Sequence, residues 1–141
     1  MTRQRIWSDN AFVGGITGPR VLIVDDHDGF RAVARTLLES EGFDVVGEAA
    51  DGVEAVRATE RLTPALVLLD VHLPDEDGFA VTERLAALAE PPAVVLISSR
   101  LIADLRQRVH DSPAVGFLAK HELTGARLRA MVKQREPWPP G

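Results

Sequence analysis

Five polar side chains stand where short apolar runs of this sequence end. Asp25 and Asp26 follow VLIV, Asp70 follows ALVLL, Ser98 follows AVVLI, and Lys120 follows VGFLA. The set contains three carboxylates, one hydroxyl and one amine. Side chains of these types, if they meet in space, can bind a cation and an anionic group beside it.

Carboxylates that crowd together repel one another and tend to hold a proton unless a cation neutralises them. Oxygen ligands with positions left for water suit Mg²⁺, which commonly binds beside phosphate oxygens. An aspartate next to such an ion can attack phosphorus and form an acyl phosphate. An ammonium and a hydroxyl can then hold the phosphoryl oxygens, since phosphoryl transfer depends mainly on positioning and electrostatics.

The apolar runs alternate with amphipathic segments, which is typical of βαβ units and a parallel sheet. The predicted strands are 21–24, 43–49, 65–69, 93–97 and 114–118. In an open parallel sheet the carboxyl ends of the strands form the ligand crevice, so the five polar side chains can converge there. The fold class predicted is α/β, a doubly wound five-stranded parallel sheet.

Helical spacing of apolar residues marks the segments between the strands. The first helix is predicted to bury Phe30, Val33, Ala34, Leu37 and Leu38. The second helix, with Asp51 as its N-cap, is predicted to bury Val53, Val56 and Leu62. The last three helices are predicted to bury Val81, Leu85 and Leu88, then Leu101, Leu105 and Val109, then Leu123, Leu128, Met131 and Val132.

The composition indicates one globular domain. The chain has 141 residues, a net charge of −5 and no cysteine, which argues against general nucleic-acid binding and excludes disulfides and thiolate metal sites. No apolar run approaches the roughly 20 residues that a bilayer requires, and no secretory signal is recognised, so a cytoplasmic location without membrane insertion is expected. We predict a flexible N-terminal arm over 1–19, a domain over 20–135 and a C-terminal tail over 136–141.

Four segments resemble the signature segments of response-regulator receiver domains from two-component signalling. They are VLIVDDH, LLDVHLPDEDG, VVLISS and GFLAK, and they occur in the family's order within 21–134. The resemblance implies a flavodoxin-like, doubly wound fold with strand order 2-1-3-4-5. It also implies a Mg²⁺ cofactor.

The resemblance assigns roles by position. Asp70 matches the phosphoacceptor, and Asp25 and Asp26 match the acidic pair that binds Mg²⁺ together with Asp70. His72 stands where the family lends a backbone carbonyl to the metal. Lys120 matches the family's catalytic lysine.

Two further positions match the family's switch. Ser98 matches the hydroxyl that turns inward to the phosphoryl group, although Thr is more usual there. Phe117 matches the aromatic residue whose rotamer follows that hydroxyl. His121 departs from many receivers, which carry proline after the lysine.

These matches imply a single-domain response regulator that takes a phosphoryl group from a sensor histidine kinase. Such a protein is a switch with slow self-dephosphorylation and not a conventional enzyme. Its output would pass through the surface of the fourth helix, fifth strand and fifth helix to a downstream protein or a phosphotransfer protein. No direct contact with nucleic acid is expected, and a homodimer is left open.

Two alternatives remain from the sequence. The chain could be the receiver half of a truncated LuxR-type transcription regulator. It could also be a Mg²⁺-dependent hydrolase that forms an aspartyl phosphate, as haloacid-dehalogenase-like enzymes do. Those enzymes carry a second aspartate two residues after the nucleophile, where this chain has His72.

Overall fold

The computed structural model describes residues 18–100 and 102–135, in which strands and helices alternate. The strands are β1 Arg20–Val24, β2 Asp44–Ala49, β3 Leu66–Asp70, β4 Ala93–Ser98 and β5 Gly116–Ala119. The helices are α1 Asp28–Ser40, α2 Gly52–Leu62, α3 Gly78–Ala86, α4 Leu105–His110 and α5 Gly125–Arg135. A 3₁₀ turn, Lys120–Glu122, joins β5 to α5.

The five strands form one parallel sheet in the order β2-β1-β3-β4-β5. The predicted fold class and strand order are therefore confirmed. The central strands β1, β3 and β4 are almost wholly buried, as expected for strands covered by helices on both faces. Because both faces of these strands are buried, their sequences are uninterrupted apolar runs and do not alternate with polar residues.

The sheet separates two hydrophobic cores, because alternate side chains of each strand point to opposite faces. Ile23 and Leu68 point to the face covered by α1 and α5, where Leu38 and Leu128 pack. The opposite face takes Leu22, Leu69 and Leu96 with the side chains of α2 and α3, among others. Both faces of the sheet therefore bury apolar surface, which is the main stabilising contribution to such a fold.

One residue in the predicted buried face of α1 and one in that of α2 need correction. In α1, Ala34 and Leu38 are fully buried, whereas Val33 is 66% exposed. Phe30 and Leu37 are partly buried against the same core, so only Val33 lies to the side of the predicted face.

In α2 the buried side chains are those of Ala55, Ala58 and Thr59, and Val53 is 45% exposed. Val56 and Leu62 pack against the core as predicted, so only Val53 falls outside the buried face. The predicted N-cap is correct, since Asp51 accepts a hydrogen bond from Glu54 N at 2.8 Å.

Helix α4 is short and has no buried residue. Arg108 connects it to the start of α3, since its guanidinium lies 4.2 Å from the centre of the Phe79 ring and 2.8 Å from Asp77 Oδ2. Leu101, predicted for the buried stripe of this helix, lies outside the described residues.

The predicted arm and tail lie almost wholly outside the described residues. Gly18 and Pro19 are the exceptions, since Gly18 N donates to Gly42 O at 2.6 Å and Asp44 N donates to Pro19 O at 2.9 Å. These two residues therefore join the edge of the domain at β2. Within 18–100 and 102–135, no helix has the length and apolarity to cross a membrane.

Candidate functional site

The carboxyl ends of four strands carry the predicted site residues. Asp25 follows β1, Asp70 ends β3, Ser98 ends β4 and Lys120 follows β5. The parallel register aligns these ends, with Asp70 beside Ile97 and Ser98 beside Ala119. The sheet therefore brings residues that are up to 95 positions apart to one edge.

An acidic cluster forms at this edge. Asp25, Asp26, His27 and Asp70 each offer one ligand atom, and these atoms lie within 4.8 Å of one another. Asp25 is fully buried, and its Oδ2 accepts no hydrogen bond from the described residues. Carboxylate oxygens gathered this closely fit a hard divalent cation such as Mg²⁺, which also takes water ligands.

Lys120 places its ammonium against the two buried carboxylates. Its Nζ lies 2.6 Å from Asp25 Oδ2 and 3.4 Å from Asp70 Oδ2. The same Nζ lies 4.6 Å from the centre of the Phe30 ring, within cation–π range. The Lys120 ammonium therefore balances the charge of Asp25 Oδ2, which has no other partner among the described residues. A cationic group therefore faces the cluster from the β5 side.

The groups around Asp70 shift its pKa in opposite directions. Burial is the largest influence and raises the pKa of Asp70 above its ordinary value, and the nearby Asp25 carboxylate adds to the rise. The backbone N–H of His72, 3.0 Å from Asp70 Oδ1, and the ammonium of Lys120 oppose it. The net rise means that an added cation would stabilise the ionised, nucleophilic form of Asp70.

The two predicted switch residues make their hydrogen bonds and packing contacts outside this cluster. Ser98 Oγ donates to Arg100 O at 2.9 Å and accepts from Arg100 N at 3.1 Å, so its hydrogen bonds go to its own loop. Phe117 is half-buried and packs on the core that faces α2 and α3. The roles of Ser98 and Phe117, and of the His72 carbonyl as a metal ligand, remain predictions.

The loop between β3 and α3 is closed by a contact that requires glycine. Gly78 N donates to Val71 O at 2.8 Å. A Cβ atom on Gly78 would lie 2.5 Å from Asp70 O and 2.8 Å from Val71 Cα. The start of α3 therefore lies directly against the backbone of the predicted phosphoacceptor.

Aspartates of the same loop bind neighbouring helix ends. Asp75 accepts from Gly52 N and Val53 N at the start of α2, at 2.8 and 3.1 Å. Asp77 accepts from Phe79 N at 2.6 Å at the start of α3. Carboxylates at helix N-termini satisfy free backbone N–H groups, so they hold this loop in place.

His27 joins the cluster, a role that the sequence analysis did not assign. Its Nδ1 lies 3.1 Å from Asp25 Oδ1 and 3.3 Å from Asp26 Oδ1, while the ring is 68% exposed. The signal was its position directly after the Asp-Asp pair.

Comparisons with known proteins agree on one family. Residues 21–133 match the response regulator receiver domain. BvgA of Bordetella pertussis, a transcription regulator of virulence factors, is 38% identical over 103 residues, which are 73% of this chain and 49% of BvgA. The transcriptional regulatory protein PdtaR of Mycobacterium tuberculosis is 40% identical over 103 residues, which are 72% of this chain and 49% of PdtaR.

Solved structures give the same result. The signal receiver domain of the response regulator NarL from Mycobacterium tuberculosis has a TM-score of 0.71 and 32% identity, covering 83% of this chain and 94% of that one. A LuxR-family response regulator from Aurantimonas has a TM-score of 0.73 and 27% identity, with coverages of 82% and 86%. The chain spans about half the length of the curated relatives it matches.

Proposed function

The chain belongs to the response regulator receiver domain family, and on that premise we propose that it is a phosphorylation switch whose acceptor is Asp70. The donor is a phosphohistidine of a sensor histidine kinase. One observation carries the proposal: Asp25, Asp70 and Lys120 meet within ion-pair distance although they come from three separate strands.

The proposed transfer replaces one bond to phosphorus with another. A carboxylate oxygen of Asp70 forms the new P–O bond, while the P–N bond of the phosphohistidine breaks. The histidine nitrogen keeps the electron pair of that bond and takes up a proton. Mg²⁺, held by Asp25, Asp26, Asp70 and the His72 carbonyl, would neutralise phosphoryl charge when bound.

Lys120 supports this step through its charge. Its ammonium lies between Asp25 and Asp70, so it can pair with a phosphoryl oxygen attached to Asp70 after a small movement. Phe30 limits where the ammonium can go, because its ring covers one side of Nζ. The lysine thus provides a positioned cation without a large rearrangement, which is the main requirement of phosphoryl transfer.

Ser98 and Phe117 would convert the phosphate into a conformational change. Turning the Ser98 hydroxyl toward a phosphoryl group breaks its two hydrogen bonds with Arg100. Phe117 would then change rotamer, and the surface of α4, β5 and α5 would alter. Such a switch needs two states only a few kcal/mol apart, and the absence of buried residues in α4 suits a small energy difference.

The proposed partners follow from this mechanism. A sensor histidine kinase supplies the phosphoryl group, and a downstream protein or phosphotransfer protein reads the altered surface. Two further expectations stay predictions: a cytoplasmic location and the absence of direct nucleic-acid contact by this domain. A homodimer is compatible with the proposal.

A second candidate is the receiver half of a LuxR-type transcription regulator. It is favoured by the curated relatives, which include transcription regulators of about twice the matched length, and by the LuxR-family structure. A reading frame that continues into a DNA-binding domain would establish this candidate. In that case the altered surface would act on the attached domain.

Phosphorylation is tested by incubating the chain with Mg²⁺ and a small phosphodonor, followed by intact mass measurement. The wild type should gain one phosphoryl group, and Asp70→Ala should gain none. Asp111→Ala is the matched control, because Asp111 is an exposed aspartate away from the strand ends, and it should behave as the wild type. Equal labelling of Asp70→Ala and wild type would refute the proposed acceptor.

The same preparation separates the switch from a hydrolase. A switch should release its single phosphoryl group slowly and should not turn over a generic phosphate ester. Sustained, Asp70-dependent turnover of that ester would favour the hydrolase instead.

A further inference from the structure

We propose that the imidazole of His27 is an additional direct ligand of the metal site, so that the site binds imidazole-preferring ions such as Ni²⁺ more tightly than its carboxylates alone would. The inference rests on the proposed function, since it concerns the same cation site. It assigns a metal-selecting role to a residue outside the acidic set.

The separations between ligand atoms fit a shared ion. Metal–ligand bonds of about 2.1 Å place neighbouring ligands about 3.0 Å apart in octahedral geometry and about 3.4 Å apart in tetrahedral geometry. His27 Nδ1 lies 3.1 Å from Asp25 Oδ1 and 3.3 Å from Asp26 Oδ1. The 3.1 Å contact is also a hydrogen-bond distance, so Nδ1 can act as a ligand only in the tautomer in which it carries no proton. In that tautomer the three atoms, all within 4.8 Å of one another, can share one ion.

The backbone places the ring nitrogen beside the carboxylates. His27 is the N-cap residue of α1, in an extended conformation, and its own N–H donates to Asp25 Oδ1 at 2.8 Å. Lys120 approaches the other oxygen of the same carboxylate, Oδ2. An ion on the His27 side can therefore bind Asp25 without displacing the lysine.

Ligand chemistry gives the selectivity. Imidazole suits Ni²⁺, Cu²⁺ and Zn²⁺, whereas carboxylate and water suit Mg²⁺, and affinity rises along the series from Mn²⁺ to Cu²⁺. Asp25 is fully buried, so this anionic ligand is already shielded from water. Adding a nitrogen ligand to this oxygen set should raise Ni²⁺ affinity far more than Mg²⁺ affinity.

Isothermal titration of the whole unphosphorylated chain with Ni²⁺ and, separately, with Mg²⁺ tests the proposal. His27→Ala should weaken Ni²⁺ binding at the cluster by about tenfold or more, since even loss of an outer partner of a ligand costs about 10–100-fold. Mg²⁺ affinity should change by less than about twofold, because Mg²⁺ relies on the oxygen ligands.

His110→Ala is the matched control. His110 is also exposed, and its Nδ1 lies 3.5 Å from Asp111 Oδ1, but it is outside the cluster. This variant should keep the wild-type ratio of Ni²⁺ to Mg²⁺ affinity.

Three results would overturn the inference: unchanged Ni²⁺ affinity in His27→Ala, the same loss in both histidine variants, or a parallel loss of Mg²⁺ affinity. Failure of the proposed function looks different, since Asp70 would then gain no phosphoryl group or would turn over a phosphate ester, whatever the two histidine variants do to Ni²⁺ binding.

Discussion

Replacing Gly78 with alanine tests whether the start of α3 is packed against the predicted phosphoacceptor. The added Cβ would lie 2.5 Å from Asp70 O and 2.8 Å from Val71 Cα, whereas real Cβ contacts essentially never fall below 3.0 Å. The backbone must therefore separate by at least 0.5 Å at Asp70 O. Both contacts are backbone atoms at the end of a buried strand, so no flexible side chain can move aside.

Forcing an extra methyl group into a packed site costs about 1–3 kcal/mol, and the backbone contacts favour the upper part of that range, about 2–3 kcal/mol. Unfolding entropy of about 2.1 cal/mol/K per residue makes each kcal/mol worth about 4 °C for a domain of roughly 120 residues. We expect Gly78→Ala to lower Tm by about 8–12 °C. Displacement of Asp70 should also slow Mg²⁺-dependent phosphorylation by about tenfold or more, as misplaced reacting groups do.

Gly29→Ala is the matched control, because it makes the same chemical change where nothing lies within 4 Å of the new Cβ. Gly29 lies in the first turn of α1, so alanine should stabilise the protein by about 0.5 kcal/mol through its better helix propensity. Thermal unfolding followed by circular dichroism should give shifts of opposite sign for the two variants. A Tm for Gly78→Ala within 2 °C of wild type, as an order-of-magnitude bound, would refute the packing argument.

Three further predictions concern charged groups. Glu48→Gln should destabilise the fold by about 0.5 kcal/mol at pH 7, the small value expected for a partly exposed pair. Hydrogen bonds from Arg35 and Arg31 lower the pKa of Glu48, so this contribution exists above pH 4.5 and is lost as the pH falls further. A Tm difference between variant and wild type that grows toward acid would contradict this prediction. Lys120→Met should destabilise the fold in the presence of a chelator by about 3–5 kcal/mol, because two buried carboxylates lose their cation. The variant should also bind Mg²⁺ more tightly by titration, because the repulsion between the ammonium and the metal ion is gone; weaker Mg²⁺ binding would contradict that electrostatic argument. Arg108→Ala should speed amide hydrogen exchange in α4 but not in α5, since Arg108 anchors α4 through Asp77 and Phe79; unchanged exchange in α4 would show that the anchor is unimportant.

The fold could be predicted from the sequence because its physical signals are local. Apolar runs that are buried on both faces identify strands, and their alternation with amphipathic segments identifies a parallel sheet. A parallel sheet in turn brings its strand ends to one edge, so the sequence alone predicts that Asp25, Asp70 and Lys120 lie together. Strand order came from the family resemblance, since local patterns do not specify which strands are neighbours.

Tertiary structure decided the features that depend on how neighbouring elements pack. Helical periodicity could not show that Val33 and Val53 are exposed, because several rotations of a helix suit the same apolar residues and only the shape of the opposing sheet selects one. The lack of space for a Cβ atom at Gly78 and the approach of His27 Nδ1 to two carboxylates depend on how neighbouring segments pack in three dimensions. Residue types thus determined which chemistry this protein can do, and three-dimensional packing determined which side chains stand close enough to do it.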